Sequence, residues 1–281
     1  MKRSKETIKI PIVSSIKSKC SEIIIQKGTS MTSNTLFIAD NEVHIYFASV
    51  NLARPYIDDL RKNLIDEEKQ KALKFVFEKD RVRYTIARGI LREILGQYLS
   101  AVPNEISFSS NKYGKLSIDR KYHQSNLNFN LSHSGDMIVY GIINDRQIGI
   151  DVENIRPNDS SRNIINRFCS GHEKDEFNML PERIKERAFF TCWTRKEAYI
   201  KALGLGLYYP LEHFSVSLTP GKRAKLTYDK NYDVSKWSLE EFISTDQYIG
   251  AVAVEGKDLD INLFQWEHKL PNIEKIRRHA A

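Results

Sequence analysis

Three short stretches of this 281-residue chain hold the side chains most able to do chemistry. The first is Ile148-Gly149-Ile150-Asp151-Val152-Glu153, which reads as a short buried strand with two carboxylates two residues apart. In a strand, residues i and i+2 point to the same face, so Asp151 and Glu153 can converge on one point. Gly149 leaves room for close approach of another chain segment or a ligand. A surface strand with an acidic outer face would give the same Asp-x-Glu pattern. The second stretch runs from Trp193 to Gly204 and reads as helix, with Trp193, Glu197 and Lys201 one turn apart on one face. As an exposed pair, Glu197 and Lys201 would contribute only tenths of a kcal/mol. Their shared face with Trp193 argues against full exposure. The third is Phe129-Asn130-Leu131-Ser132-His133-Ser134-Gly135, read as a strand end entering a tight turn. Ser132 and His133 could meet phosphate oxygens there, or serve only as turn and capping groups. Adjacent in sequence, they are poorly placed as a nucleophile–base pair, and there is no Gly-x-Ser-x-Gly elbow, so a Ser-His-Asp hydrolase is a poor fit.

Taken together, Asp151, Glu153 and Glu197 offer a hard oxygen site suited to Mg²⁺ rather than zinc. Lys201, one turn beyond Glu197, joins Ser132 and His133 as a set suited to diphosphate oxygens. This is a phosphoryl-transfer constellation without a Walker loop.

The elements that must position these groups follow from hydrophobic spacing. A strand is expected over Val43–Val50, then helices over Asp66–Phe77 and about Asp80–Leu99. The second helix carries Ile86, Ile90, Leu91, Leu95 and Leu99 at three- and four-residue steps. Strands follow at Ile106–Ser109, Lys115–Ile118, Leu127–Leu131 and Met137–Ile143. The same order then recurs: a helix over Glu182–Leu203, stopped by Gly204, and strands at Phe214–Leu218, Lys225–Tyr228, Trp237–Ile243 and Tyr248–Val254. A helix plus four strands, twice, predicts an α+β protein of two similar lobes in a pseudo-twofold arrangement, joined near Asn144–Gly149. The expected boundaries are 36–146 for the first lobe and 147–268 for the second, with a tail at 269–281. A ligand cleft is expected between the lobes.

Residues 1–35 lack either period and are expected to form a disordered basic extension. Seven basic and two acidic side chains stand within residues 1–30, so most of the net charge of +7 sits there. The body is therefore not a general polyanion binder, and nucleic acid is not an expected partner. The segment lacks the apolar run of a secretory signal; an organelle transit peptide or a true start at Met31 are alternative readings. No window is apolar enough for a membrane span. Cys20, Cys169 and Cys192 are odd in number and lack metal-ligand spacing, which points to a reducing cytoplasm.

The motif order Phe-Asn-Leu-Ser-His-Ser, Gly-Ile-Asp-Val-Glu, then Trp-x-x-Lys-Glu-Ala-x-x-Lys-x-x-Gly-x-Gly-Leu resembles the 4′-phosphopantetheinyl transferases. Within that family it resembles the Sfp-like pseudodimeric branch, over residues 43–266. The resemblance implies transfer of 4′-phosphopantetheine from coenzyme A to a serine of an apo acyl or peptidyl carrier protein, with Mg²⁺, by a monomer. It implies that Asp151, Glu153 and Glu197 hold the ion and that Lys201 contacts the phosphate whose bond breaks. Ser132, His133, Lys115 and Lys71 match coenzyme A-binding positions, with Arg83 and Arg88 as further phosphate candidates. Glu173, in Arg-Phe-Cys-Ser-x-x-Glu, matches a carboxylate proposed as general base. Leu116 stands where the family often has proline after Tyr-Gly-Lys, and Cys169 where it often has an aromatic residue. Three competing readings are an inactive scaffold of the same fold, a nucleic-acid binder, and another Mg²⁺-dependent phosphotransferase acting on a nucleotide. A carboxylate trio that repels itself without a cation argues against the first.

Overall fold

The computed structural model describes residues 24–26, 36–119, 125–157, 161–268 and 275–277. The expected disordered extension and tail lie outside the described residues, apart from two three-residue strands: β1 (Ile24–Gln26) and one close to the C-terminus described below.

The first lobe opens with β2 (Glu42–Ser49), whose Ser49 caps a one-turn helix, α1 (Val50–Ala53). Helices α2 (Ile57–Lys62), α3 (Asp66–Leu73) and α4 (Glu78–Leu99) follow. A small hairpin, β3 (Phe108–Ser110) and β4 (Leu116–Ile118), leads to β5 (Leu127–Ser134) and β6 (Met137–Asn144). The second lobe repeats the plan with β7 (Ile148–Asn154), α5 (Ser161–Phe168), α6 (Gly171–Met179) and α7 (Glu182–Leu203). Hairpin β8 (Phe214–Val216) and β9 (Leu226–Asp229) precedes β10 (Trp237–Ser244) and β11 (Tyr248–Glu255). The neighbours β2-β6-β5 in the first sheet correspond to β7-β11-β10 in the second. The two α+β lobes therefore repeat one architecture.

The pleat decides where each face goes. On β2 and β6, Tyr46, Ala48, Ile138, Tyr140 and Ile142 pack with Ile86, Ile90 and Leu91 of α4. Their alternates Val43, Ile45, Phe47, Val139 and Ile143 pack against Ile148, Ile150, Val152, Val252 and Val254 of the other sheet. Ala251 and Ala253 of β11 face Ala198 and Ala202 of α7. The result is four layers, helix–sheet–sheet–helix, with three apolar clusters between them. No helix among the described residues is long and apolar enough to cross a membrane.

Two features depart from the expected elements. Strand β12 (Asp260–Gln265), within the range expected for the second lobe, pairs parallel to β2 and extends the first sheet, with β13 (Lys275–Arg277) beyond it. The helix expected over Asp66–Phe77 ends at Leu73, and α4 begins at Glu78 after an extended Phe77.

Candidate functional site

Because Ile148, Ile150 and Val152 of β7 point into the inter-sheet core, the alternates Gly149, Asp151 and Glu153 face α7. The helix comes down directly on Gly149. A Cβ there would lie 2.1 Å from the Ala198 carbonyl oxygen and 2.2 Å from the Ala202 nitrogen. The room expected at Gly149 is thus filled by α7, whose small residues Ala198 and Ala202 allow the contact. One position before each small residue stand Glu197 and Lys201, which this contact delivers to the acidic end of β7. Trp193, a turn earlier, is half-buried against Phe168 and Phe189.

Asp151 is 4% exposed and takes two donors on one oxygen: Ser132 Oγ at 2.7 Å and Lys201 Nζ at 2.6 Å. Lys201 also donates to Ser132 Oγ at 3.0 Å. The other oxygen, Oδ2, is buried and has no hydrogen-bond partner. Glu153 accepts from Ser134 Oγ at 2.7 Å. Burial, reinforced by the charge of Asp151, raises the pKa of Glu153, while the Ser134 hydroxyl opposes the shift. Burial pushes the pKa of Glu197 up to about 7; Lys201 opposes the rise, and Asp151 and Glu153 add to it. The structure therefore brings Asp151, Glu153, Glu197, Lys201 and Ser132 to one place. Among the described residues this acidic trio is not a set whose oxygens all lie within 4.8 Å of one another.

The expected turn at Ser132-His133-Ser134 is strand: β5 runs through Ser134, and the turn falls at Gly135, with φ +58°. Alternation then puts Asn130, Ser132 and Ser134 on one side. Asn130 Oδ1 accepts from Ile150 N at 3.0 Å, and Ser134 Oγ accepts from Asn154 N at 3.1 Å. Three polar side chains thus tie β5 to β7 in place of a backbone ladder. Asn130 fell in the expected strand and Ser134 in the expected turn; with Ser132 they stand at two-residue steps, which is the signal of this role. His133 is exposed, and partial burial with the nearby charges of Arg83 and Lys201 lowers its imidazole pKa. Arg83 is paired with Asp80 at 2.6 Å.

Other expected residues lie elsewhere. Exposed Lys71 and half-buried Arg88 meet at the ring of Tyr84, each 5.7 Å from its centroid. Arg88 sits 3.9 Å from Glu68, and its Nη1 is buried without a partner. Lys115 Nζ donates to Ala202 O, Ile148 O and Gln147 Oε1. Glu173 is 0% exposed and is not brought to the site. It closes a capping box with Ser170, accepts from Val216 N at 2.8 Å and pairs with Lys196 at 2.8 Å. A residue so enclosed has no path to an incoming hydroxyl, which corrects the expectation that it acts as base. Its thiol neighbours Cys169 and Cys192 lie 3.6 Å apart, and with Glu173 they form a compact group among the described residues. The Lys196 ammonium already supplies the cation there.

A cavity of about 240 Å³ opens beside Lys201, lined by Tyr113, Leu116, Phe129, Leu131 and Gly204. A larger groove of about 870 Å³ runs past Arg223, Trp237 and Lys257 and touches none of the acidic trio. Neither lining includes a carboxylate of the trio, but the smaller one includes Lys201, and we place the site at that end of it.

Comparison with known proteins gives the family. A family model described as the 4′-phosphopantetheinyl transferase superfamily matches residues 147–253, and one described as 4′-phosphopantetheinyl transferase, N-terminal, matches residues 54–142. The 4′-phosphopantetheinyl transferase HetI of Nostoc sp. strain PCC 7120 is 36% identical over 234 residues, covering 83% of this chain and 93% of its own. The 4′-phosphopantetheinyl transferase psf-1 of Bacillus pumilus is 33% identical, over 62% of this chain and 72% of its own. The 4′-phosphopantetheinyl transferase Sfp of Bacillus subtilis strain 168 is 32% identical, over 54% and 65%.

Proposed function

Since the chain belongs to the 4′-phosphopantetheinyl transferase superfamily, we propose that it moves the 4′-phosphopantetheine of coenzyme A onto a serine of an apo acyl or peptidyl carrier protein. The serine oxygen forms a bond to the phosphorus that bears pantetheine. The bond from that phosphorus to the leaving adenosine 3′,5′-bisphosphate breaks. The serine proton leaves through water held at the acidic group to bulk solvent. Lys201, whose ammonium has a third hydrogen beyond those given to Asp151 and Ser132, presents a donor to the diphosphate, where negative charge grows on the leaving side; Ser132 would join it by turning its hydroxyl from Asp151 to a phosphate oxygen. His133, which feels the charges of both Arg83 and Lys201, would with Arg83 meet the remaining phosphates, and Lys71 would meet a more remote one.

The family implies Mg²⁺, and the residues fit it in chemistry: Asp151 and Glu153 on β7 face the helix that carries Glu197, and the buried Asp151 Oδ2 has no partner. Asp151, Glu153 and Glu197 would hold the ion, which when bound neutralises diphosphate charge. The observation that carries the reading is the meeting of Ser132 and Lys201 on one oxygen of Asp151 while the other stays open. A single chain supplies both lobes, which supports action as a monomer, and the unpaired cysteine chemistry supports the cytoplasm. The test is incubation with coenzyme A, Mg²⁺ and a panel of apo carrier proteins, read by intact mass. A gain of one phosphopantetheine on a carrier serine is expected; no gain on any carrier overturns the reading.

A further inference from the structure

The end of a helix leaves carbonyls without intrahelical partners, and those of α7 are met from the other lobe. Lys115, just before β4, donates from Nζ to Ala202 O at 2.8 Å, to Ile148 O at 3.1 Å and to Gln147 Oε1 at 3.0 Å. Asn111, at the opposite end of the same turn, donates from Nδ2 to Gly204 O at 2.7 Å. Asn111 Oδ1 accepts from the backbone nitrogens of Tyr113 and Lys115, so one side chain both shapes the turn and binds the helix end. Gly204 is the left-handed cap of α7, with φ +70°.

An ammonium has three donors, and all three of those on Lys115 are engaged by protein oxygens. No donor remains for a nucleotide phosphate in this arrangement. Burial lowers the pKa of Lys115 to about 8, and its charge complements the negative end of the helix dipole. Ala202 directly follows Lys201, whose ammonium lies 2.6 Å from Asp151. The last turn of α7 and the first residues of β7 are therefore joined through one first-lobe side chain.

We propose that Asn111 and Lys115 are positioning residues that fix the last turn of α7 against the start of β7 and so hold Lys201 at Asp151. This rests on the transferase reading above. It separates cleanly from the role expected for Lys115 as a coenzyme A ligand. A ligand for a remote phosphate acts on KM, whereas a positioning residue acts on kcat through the group it positions.

The experiment compares steady-state transfer by the wild-type chain, Lys115→Met and Asn111→Ala, each alone and combined with Lys201→Ala. Lys115→Met is expected to lower kcat about tenfold and Asn111→Ala about threefold, with KM for coenzyme A within about twofold of wild type. In the Lys201→Ala background each should cost less than about twofold, because the group they position is gone. A raised KM at unchanged kcat overturns the proposal in favour of a phosphate ligand. The full loss persisting in the Lys201→Ala background overturns it in favour of a general structural role. Should Lys115→Met lack a cooperative melting transition, the exposed Asn111→Ala variant carries the same test. A wild-type chain that transfers to no carrier overturns the transferase reading and this one with it; the two failures are thereby distinct.

Discussion

Asp151 is the residue on which the site turns. It sits inside the protein with one oxygen doubly bonded by hydrogen and the other open. Replacing it with alanine removes a buried charge without opening a large void, so Asp151→Ala should melt near the wild-type temperature and show no transfer. Wild-type turnover by that variant would sink the assignment of the acidic trio. Glu197 gives a second expectation at this scale. Its folded pKa of about 7 lies above the ordinary 4.5, so between those values the metal-free folded chain binds more protons than the unfolded one. The contribution of Glu197 to stability is then fully present at low pH and is lost as pH rises through about 7. Glu197→Gln should flatten that slope in melting midpoints measured from about pH 5 to about pH 8. Mg²⁺ requires the ionised carboxylate, so its stabilising shift at one concentration should grow over the same range and shrink in Glu197→Gln. An equal Mg²⁺ shift at every pH would contradict the coupling.

At the scale of elements, the contact between α7 and β7 decides everything downstream. The atoms nearest a Cβ at Gly149 belong to the helix backbone, so no rotamer change can relieve the clash. Gly149→Val should cost about 3 kcal/mol, read by chemical denaturation, and should reduce transfer in whatever fraction still folds. Trimming Ala198 to glycine would not rescue it, because the obstruction is a carbonyl oxygen. Helix 182–203 was legible in place and extent, since it is long, amphipathic and stopped by Gly204. Helices α1, α2, α5 and α6 were not foreseen: at four to nine residues they are too short to show a period. Two-residue spacing put Asp151 and Glu153 on one face of a strand, but a surface strand would show the same pattern, so their place in a site was read from the three motifs together. Their meeting with Ser132 was read through the motif, because Ser-His-Ser-Gly suits a turn as well as a strand. Glu173 shows the limit of that method. A carboxylate three residues after a serine at a helix start is a capping pattern, and the structure uses it so. Nothing in the order of residues showed that Lys115 would reach Ala202, a contact spanning 87 positions.

The whole molecule is a doubled plan with one asymmetry. Beyond the repeated helix and strands, β12 crosses back and lies parallel to β2, from Asp260 beside Glu42 to Gln265 beside Phe47. A chain ending after Glu255 would keep every element of the second lobe but leave the backbone row of β2 open. Such an edge invites pairing with other molecules. The truncated chain should elute as soluble aggregate on size exclusion and lose its cooperative transition in urea. If it stayed monodisperse and melted like the full chain, β12 would be dispensable.

The returning strand also determines how the molecule comes apart. A polypeptide that leaves one half, builds the other and comes home to the first cannot be divided by a single cut. Heating or denaturant should therefore release both halves in one step, and a nick near residue 146 should weaken the distant half as much as the near one. The seam that looks, on paper, like a place to separate two modules is where they are laced together.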